Sequence, residues 1–492
     1  MVVLSKIKKA FFDVYLYKIV LMFFLIPTLL VPCVNFNFKL LFVMMGWGGI
    51  ICLHDLFLRR TFLKARGMIW LLLFLIVFGI TVLLNYKTGF NLNVSSFGYT
   101  VIALLLLYPD TCNGDKEKAM KELFFINNIF LGMTTVLSTL SLGMFVTLYC
   151  KRVAFGDQLY AIGWSQNRLF GLYSNTGYMI TSIALAIAVI QIAILKTQGK
   201  KLRGWYKTFI IYTSVVNFIS AALENAKGAF ISLAFFVVVL VYILVSKNLV
   251  NKNFKTFKRV AVSGVCAVSA AAVLIGTIYA IRPALSYVPV AYQSVRMALD
   301  EDYNPNESGD DDQELEGIDM NRDIPEGYGF LTGRQVIWQF GLEQFAEKPI
   351  LGYGPQSHRQ YKPLETNLRH FHNLIVQTIV SVGAIGSFFI FAFLGTVLFF
   401  VAKTLLKMRK TNDKYFLITL SLFSIIAMFL MNGMAEVTVL FLVRFSMFLF
   451  WMYMGYIQVF CGEENNTKGT EILSKVDLFL DKILVKKIKN EK

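Results

Sequence analysis

Apolar runs of about 18 to 25 residues recur along almost the whole chain, and they limit what it can fold into. A helix of that length crosses roughly 30 Å of hydrocarbon. The composition agrees, because the 492 residues are 56% hydrophobic and only 16% charged, with 45 phenylalanines. A soluble chain of this length carries far more charge. The sequence therefore predicts an all-α polytopic membrane protein.

The spacing of these runs predicts about twelve transmembrane helices. They are expected near residues 15–36, 38–57, 68–84, 92–109, 123–149, 176–195, 208–224, 228–246, 260–281, 373–401, 415–433 and 437–460. Four parts follow: helices 1–9 within 1–281, a large loop with short amphipathic helices at 282–371, helices 10–12 within 372–460, and an amphipathic tail at 461–492. The basic start leads into an apolar run without a small-residue cleavage site, which predicts a first span and no removed signal peptide.

Lysine and arginine are concentrated in alternate loops, and this pattern sets the orientation in the membrane. The basic loops lie near residues 59–66, 116–121, 196–207, 247–259 and 403–414. With the amino terminus inside, all of them face the cytoplasm, so both termini are cytoplasmic and the large loop faces outward. The net charge of +17 is therefore interpreted as an orientation signal, and a nucleic-acid partner is excluded.

Three of the four histidines, His358, His370 and His372, lie in one polar and basic segment at 332–386. Two of them form a His-x-His pair, which some zinc sites use when the chain is extended. No cysteine or carboxylate signature accompanies the pair, and the six cysteines are scattered without metal-type spacing. The sequence predicts no metal, no cofactor and no disulfide framework, with zinc as the minor alternative.

Four short motifs follow one another in the same segment. They are Arg334 with Trp338, then Lys348-Pro349-Ile350-Leu351-Gly352-Tyr353-Gly354, then His372-Asn373, then Gly383-Ala384-Ile385-Gly386. In this order and spacing, over about 55 residues, they resemble the signature of the O-antigen polymerase and O-antigen ligase family. The resemblance implies a glycosyltransferase of the bacterial cytoplasmic membrane that uses undecaprenyl-diphosphate-linked sugars, with its active site facing outward.

Two further elements are similar to parts of that family. Residues 167–175, with Arg168, resemble its Arg-x-x-Gly-x-aromatic-x-Asn element, although Thr176-Gly177 follows where the family commonly continues Pro-Asn. Lys227 stands where relatives often carry Ser-Arg-Gly. Lysine is a point charge and lacks the planar fork of arginine. A headgroup anchor for Arg168 and a simple turn residue for Lys227 remain open alternatives.

Transfer of a sugar from a polyprenyl diphosphate makes two chemical demands. The growing charge on the leaving diphosphate needs fixed cations, and arginine suits this because its planar fork binds phosphate through two hydrogen bonds. The attacking hydroxyl needs a base that titrates near neutrality, which is the usual role of histidine. His372 is the predicted catalytic base. The predicted substrate-binding residues are Arg168, Lys227, Arg334, Asn373 and Arg444.

His372 stands at the expected entry of span ten, beside Asn373 and ahead of Gly383 and Gly386, whose missing side chains permit close helix approach. On a helix, His370 would point roughly 200° away, so only one of the two rings would face the site. Asn373 is expected to orient the ring or to bind a sugar hydroxyl. A histidine that anchors to lipid headgroups is the alternative.

Arg444 is expected inside the last span, about 12 Å below its outer boundary. A charge at that depth faces a polar interior or snorkels to the surface. Glu436 lies too far along the same predicted helix to pair with it. Glu224, at the outer end of span seven, is therefore the candidate partner.

The large loop has an acidic part and a helical part. Residues 300–326 hold about twelve of the 31 acidic residues, and their composition favours a solvated, mobile lid over a calcium or other metal site. Thr332 and Gln335 form a capping box for an amphipathic helix of about fifteen residues that ends before Pro349. We expect this helix at the membrane surface or packed on the bundle.

The leading functional interpretation is polymerisation of undecaprenyl-diphosphate-linked oligosaccharide repeat units into capsular polysaccharide or O-antigen, with these lipids as both donor and acceptor. A ligase that moves the glycan to another acceptor shares the same motifs. A lipid-linked oligosaccharide flippase is the alternative from another class, although it has no use for a large outer loop with amphipathic helices. Further expected partners are membrane lipid and the chain-length regulator and flippase of the same pathway.

Overall fold

The computed structural model describes residues 2–25, 34–155, 158–173, 179–200, 204–299, 318–320, 333–357 and 370–462. His358, the tail after residue 462 and the acidic segment apart from 318–320 fall outside these residues. The described helices are α1 (Val2–Phe11), α2 (Val14–Leu25), α3 (Val34–His54), α4 (Met68–Leu84), α5 (Phe90–Ile102), α6 (Lys116–Val146), α7 (Ile180–Thr197), α8 (Gly204–Glu224), α9 (Lys227–Asn251), α10 (Thr256–Leu299), α11 (Arg334–Glu347), α12 (Leu374–Thr411), α13 (Phe416–Gly433) and α14 (Phe445–Cys461).

Nine helices in the described part of the chain are long and apolar enough to cross a membrane, and α2, α4 and α14 are shorter apolar helices. Each of these twelve overlaps one of the predicted spans. The prediction of a polytopic, mainly helical membrane protein is confirmed. The number of twelve crossings stays a prediction, because three of the helices are shorter than a full span.

A small antiparallel sheet departs from the all-α prediction. Its strands are β1 (Cys150–Phe155), β2 (Gln158–Ser165) and β3 (Arg168–Gly171), in the order β1-β2-β3. Gln166 and Asn167 join β2 to β3, both with positive φ (52° and 54°). Two residues in this conformation form a turn that matches the right-handed twist of a hairpin. The sheet therefore arises from local turn geometry that a hydropathy reading of this loop does not register.

Helix α10 continues past the predicted end of span nine. It runs for 44 residues, about 66 Å at 1.5 Å per residue, and contains Pro283 and Pro289. Proline usually ends or kinks a helix, yet here the turns after Pro283 are packed, since Ser286 and Pro289 are buried. The loop boundary predicted at 282 consequently falls inside α10.

The chain forms two compact units. Unit 1 comprises Met1–Leu25, Phe38–Ile126 and Leu331–Lys492, and unit 2 comprises Ile26–Asn37 and Asn127–Phe330. Unit 2 fixes residues 318–320 of the acidic segment. Met320 packs into a buried apolar cluster with residues of α6, α8 and β3, and its carbonyl accepts a hydrogen bond from Arg282 Nη2. Asn167 Nδ2 donates to Asp319 Oδ2 over 3.2 Å, so this piece of the segment is anchored.

In unit 1, α12 is broken at Gly383, where φ is 64° and ψ is −172°. The break frees carbonyls of the preceding turn, and residues 349–354 run beside it and satisfy them. Tyr353 N donates to Val380 O over 2.9 Å, and Gly354 N donates to Ser381 O over 2.8 Å. Satisfying such groups is obligatory at membrane depth. Gly383 is thus the site of a helix break, which corrects its predicted role in helix packing.

We expect Gly383→Ala to destabilise the protein. A Cβ at this position would lie 2.2 Å from the carbonyl oxygen of Ile350, and the positive φ adds strain of about 1–3 kcal/mol. Gly395→Ala is the matched control, because it lies in the same helix and its Cβ would meet nothing within 4 Å. Thermal unfolding of the purified proteins in detergent should show a lower midpoint for the first variant only. Equal midpoints would contradict this account of the break.

Candidate functional site

Four polar side chains of unit 1 gather around the buried carboxylate of Glu436, and we call the five residues the Glu436 cluster. Its members are Arg334, His370, His372, Glu436 and Arg444. His372 Nδ1 lies 2.9 Å from Glu436 Oε1, and Arg334 Nη2 lies 3.4 Å from the same oxygen. Glu436 Oε2 lies 3.5 Å from Arg444 Nη1 and 3.7 Å from His370 Nε2.

Helix α11 supplies Arg334 at its first turn. Gly333, with a φ of 77°, is the N-cap, and no side chain caps the helix. The predicted capping box depends on Thr332, which lies outside the described residues. Ile337, Trp338 and Phe345 pack against Phe371 and the first turns of α12. Since α11 is packed onto another helix of unit 1, the bundle alternative fits better than a free surface helix.

The two histidines flank Phe371, whose side chain is fully buried. Helix α12 begins only at Leu374, and His372 has a φ of 48°, the left-handed conformation. The prediction that only one ring faces the site assumed a helix here, and it is wrong. With Phe371 directed into the core, the rings of His370 and His372 lie together, their centroids 4.1 Å apart. Uncommon backbone conformations of this kind concentrate at functional sites.

Asn373 is the N-cap of α12. Its Oδ1 accepts hydrogen bonds from the backbone N–H groups of Ile375 and Val376, at 2.9 and 3.1 Å. Its Nδ2 donates to the carbonyl of Met434 over 3.1 Å. The amide therefore ties the start of α12 to the turn before Glu436. These contacts give Asn373 a capping and positioning role, and its contact with a sugar hydroxyl stays a prediction.

Arg444 and Glu436 lie in a non-helical connection between α13 and α14. Helix α13 ends at Gly433, and Arg444 is the N-cap of α14. The predicted last span began at 437, which made the two side chains too distant to pair, and the 3.5 Å contact between them corrects this. Side chains stabilise the connection, because Ser446 Oγ donates to Thr438 O over 2.8 Å and Trp451 Nε1 donates to Val439 O over 2.9 Å.

The sequence prediction missed two members of the cluster, His370 and Glu436. Burial by itself would raise the pKa of the Glu436 carboxyl, but the hydrogen bond with His372 and the electrostatic effect of His372, His370 and Arg444 lower it to about 2. It is therefore a carboxylate at neutral pH. The sequence does contain a signal for Glu436, because this acidic residue lies in an otherwise apolar stretch that also carries Arg444. Charged residues inside a membrane protein usually pair with one another.

His372 has the most solvent-exposed side chain of the cluster. Its side chain is 31% exposed, whereas those of His370, Glu436 and Arg444 are 7 to 10% exposed. Nδ1 faces Glu436, which leaves Nε2 on the other edge of the ring. A carboxylate on one ring nitrogen stabilises the imidazolium that forms when the other takes a proton. This arrangement suits a general base.

The same residues offer ligands to a metal ion. His370, His372 and Glu436 each present one ligand atom, and these atoms lie within 4.8 Å of one another. Arg334 and Arg444 lie within 3.5 Å of the same carboxylate, however, and two guanidinium groups oppose a further cation. The charges of the cluster favour an anionic ligand, for which guanidinium groups are well suited.

Unit 2 holds the other predicted cations. Arg168 is 9% exposed, and its Nε donates to the carbonyl of Glu224 over 3.0 Å. The carboxylate of Glu224 accepts a hydrogen bond from Thr181 over 3.0 Å. Glu224 was the predicted partner of Arg444, but the ion pair that the structure describes for Arg444 is with Glu436 in unit 1. Lys227 is the first residue of α9. The structure thus brings Arg334 and Arg444 together in unit 1, and places Arg168 and Lys227 in unit 2.

Comparison with known proteins adds one finding. Residues 212–391 match the family model described as O-antigen ligase. The match includes Lys227, Arg334, His370, His372 and the break in α12, and it ends before the connection that carries Glu436. No curated protein matches the chain.

Proposed function

We propose that this chain, which the match over residues 212–391 assigns to the O-antigen ligase and polymerase family, polymerises undecaprenyl-diphosphate-linked oligosaccharide repeat units. The family supports glycan transfer by a membrane enzyme that acts on lipid-linked oligosaccharides. The finer assignment rests on the Glu436 cluster, which combines two arginines with an open histidine. In this proposal the reaction takes place on the outer face of the cytoplasmic membrane, with both termini inside.

The arginines of the cluster serve the donor. Arg334 and Arg444 present guanidinium groups to one small volume, as their shared contact with Glu436 shows. A guanidinium fork binds phosphate oxygens through paired hydrogen bonds. As the bond between the anomeric carbon and the diphosphate breaks, negative charge grows on the leaving group, and fixed cations stabilise it. The predicted substrate-binding roles of Arg168 and Lys227 stay predictions.

His372 serves the acceptor. A hydroxyl oxygen of the acceptor sugar attacks the anomeric carbon of the donor, and its proton passes to His372 Nε2. The glycosidic bond forms while the bond to the diphosphate breaks, and the polyprenyl diphosphate leaves with its electron pair. The placement of His372 between a buried Phe371 and the cap residue Asn373 holds the imidazole firmly, which is what proton transfer requires.

The lipid-linked products of a strain that lacks this chain test the assignment. A polymerase predicts single repeat units accumulating on the lipid at the outer face. Long lipid-linked chains that remain unattached would indicate the ligase, which is the second candidate because the matching family model is described as O-antigen ligase. Repeat units trapped on the cytoplasmic side would indicate a flippase and would overturn the proposal.

The acidic segment gives a further prediction. Deleting 303–316 should leave glycan transfer measurable, because this composition offers little apolar surface to bury. Deleting 303–320 should cost more, since it also removes Met320 from the apolar cluster of unit 2 and the carbonyl that Arg282 binds. Transfer by membranes with matched protein abundance distinguishes the two. Complete loss of transfer in the shorter deletion would contradict the prediction.

A further inference from the structure

The carboxylate of Glu436 is shared among four partners, two arginines and two histidines. Its Oε1 lies 2.9 Å from His372 Nδ1 and 3.4 Å from Arg334 Nη2. Its Oε2 lies 3.5 Å from Arg444 Nη1, and it makes no hydrogen bond within the described residues. One buried negative charge thus stands between two arginines and the ring that is proposed to take the proton.

We propose that Glu436 is a positioning residue that competes with the donor diphosphate for the two arginines and, once the diphosphate has displaced it, serves as the counter-ion of His372. This inference rests on the proposed function. It explains why an acidic group is buried in a site for an anion, where its charge by itself opposes binding. Nothing in the family match covers Glu436, since the match ends at residue 391.

The displacement follows from charge and geometry. A diphosphate carries more negative charge than one carboxylate and offers oxygens that match the guanidinium fork. The 3.4 and 3.5 Å separations between Glu436 and the arginines are longer than a charge-assisted hydrogen bond, which is about 2.7–2.9 Å. The contact with His372 is already at 2.9 Å. The arginines are therefore the partners that Glu436 gives up, and His372 is the partner it keeps.

Donor binding changes the charges around His372. Before binding, the positive charges of Arg334 and Arg444 oppose a positive charge on the imidazole, and the negative charge of Glu436 favours it. The ring of His370 packs against the imidazole. After binding, the diphosphate neutralises the arginines, while Glu436 remains. Glu436 is then paired with His372 alone, so its full charge is available to balance the imidazolium only when donor is in place.

Glu436→Gln separates this role from a merely structural one. The glutamine keeps an oxygen for His372 Nδ1–H but removes the charge that competes with diphosphate. We expect the variant to bind undecaprenyl diphosphate more tightly than the wild type, by about threefold or more, while its kcat falls by roughly 10²-fold. An arginine variant should instead lose affinity for the lipid.

The measurement uses the full chain, purified in detergent, with undecaprenyl diphosphate as the probe. Weaker lipid binding together with a lower kcat in Glu436→Gln would overturn the proposal, because it would mean that the carboxylate only supports the fold. If the glutamine variant does not insert, Glu436→Asp replaces it: it keeps the charge, so lipid affinity should stay near wild type while kcat falls, and tighter binding would contradict us. A wild-type chain that does not bind the lipid would refute the proposed function itself.

Discussion

His372→Ala should lose two to four orders of magnitude in glycan transfer, which is the usual contribution of a general base. The donor lipid should still bind, since the arginines of the Glu436 cluster are untouched. His372→Asn is a useful second variant, because asparagine tolerates the left-handed backbone found at this position. Transfer rate and lipid binding, measured on the same purified protein, check both statements.

The control for this variant is His54→Ala. His54 ends α3 and stacks on Phe12, with ring centroids 4.0 Å apart, and nothing assigns it to the reaction. His370→Ala should be milder than His372→Ala, because His370 is nearly buried and contacts Arg444 through Nε2 at 2.8 Å. Near-normal transfer by His372→Ala would remove this residue from the catalytic step.

Arg334→Ala should reduce transfer by about 10²–10³-fold, the typical effect of removing one fixed donor from a site of developing negative charge. The side chain is 27% exposed at the start of α11, so the fold should tolerate its loss. Arg334→Lys should remain poor, because the charge survives while the fork is lost. Both variants should bind undecaprenyl diphosphate more weakly, and the length distribution of the glycan product provides the second readout.

Arg152→Ala is the matched control for the loss of an arginine. Arg152 is exposed on β1 in unit 2 and has no predicted role. The Arg152→Ala variant should make glycan of normal length at a normal rate. If Arg334→Ala matches this control, the arginines of the cluster are not the diphosphate contacts, and the charge argument for the site fails.

The membrane architecture could be predicted because each apolar run is long and its period is clear. The site could be predicted in part, since Arg334, His372 and Asn373 lie in a polar segment of an otherwise apolar chain. Arg334 and His372 do come together in the structure, which the sequence segment suggested. Their catalytic roles stay predictions, as does the role of Arg444.

The remaining features depend on contacts that a local pattern does not contain. Residues 437–443 are mainly apolar, and this pattern predicts the start of a helix. They instead form a connection in which the carbonyls of Thr438 and Val439 accept hydrogen bonds from Ser446 and Trp451. The break at Gly383 needs residues 349–354 beside it, some thirty positions earlier in the chain. Glu436 reaches the cluster because α13 ends at Gly433 and the connection after it carries the carboxylate to His372. Local sequence patterns fail most often at functional sites.

Reconstitution of the purified chain tests the central claim most directly. Liposomes would contain the chain and an undecaprenyl-diphosphate-linked repeat unit as the only glycan, with a chelator present. We predict a ladder of longer lipid-linked glycans, with one undecaprenyl diphosphate released for each bond formed. Repeat units that stay single in the presence of folded protein, or that change leaflet without growing, would contradict the account.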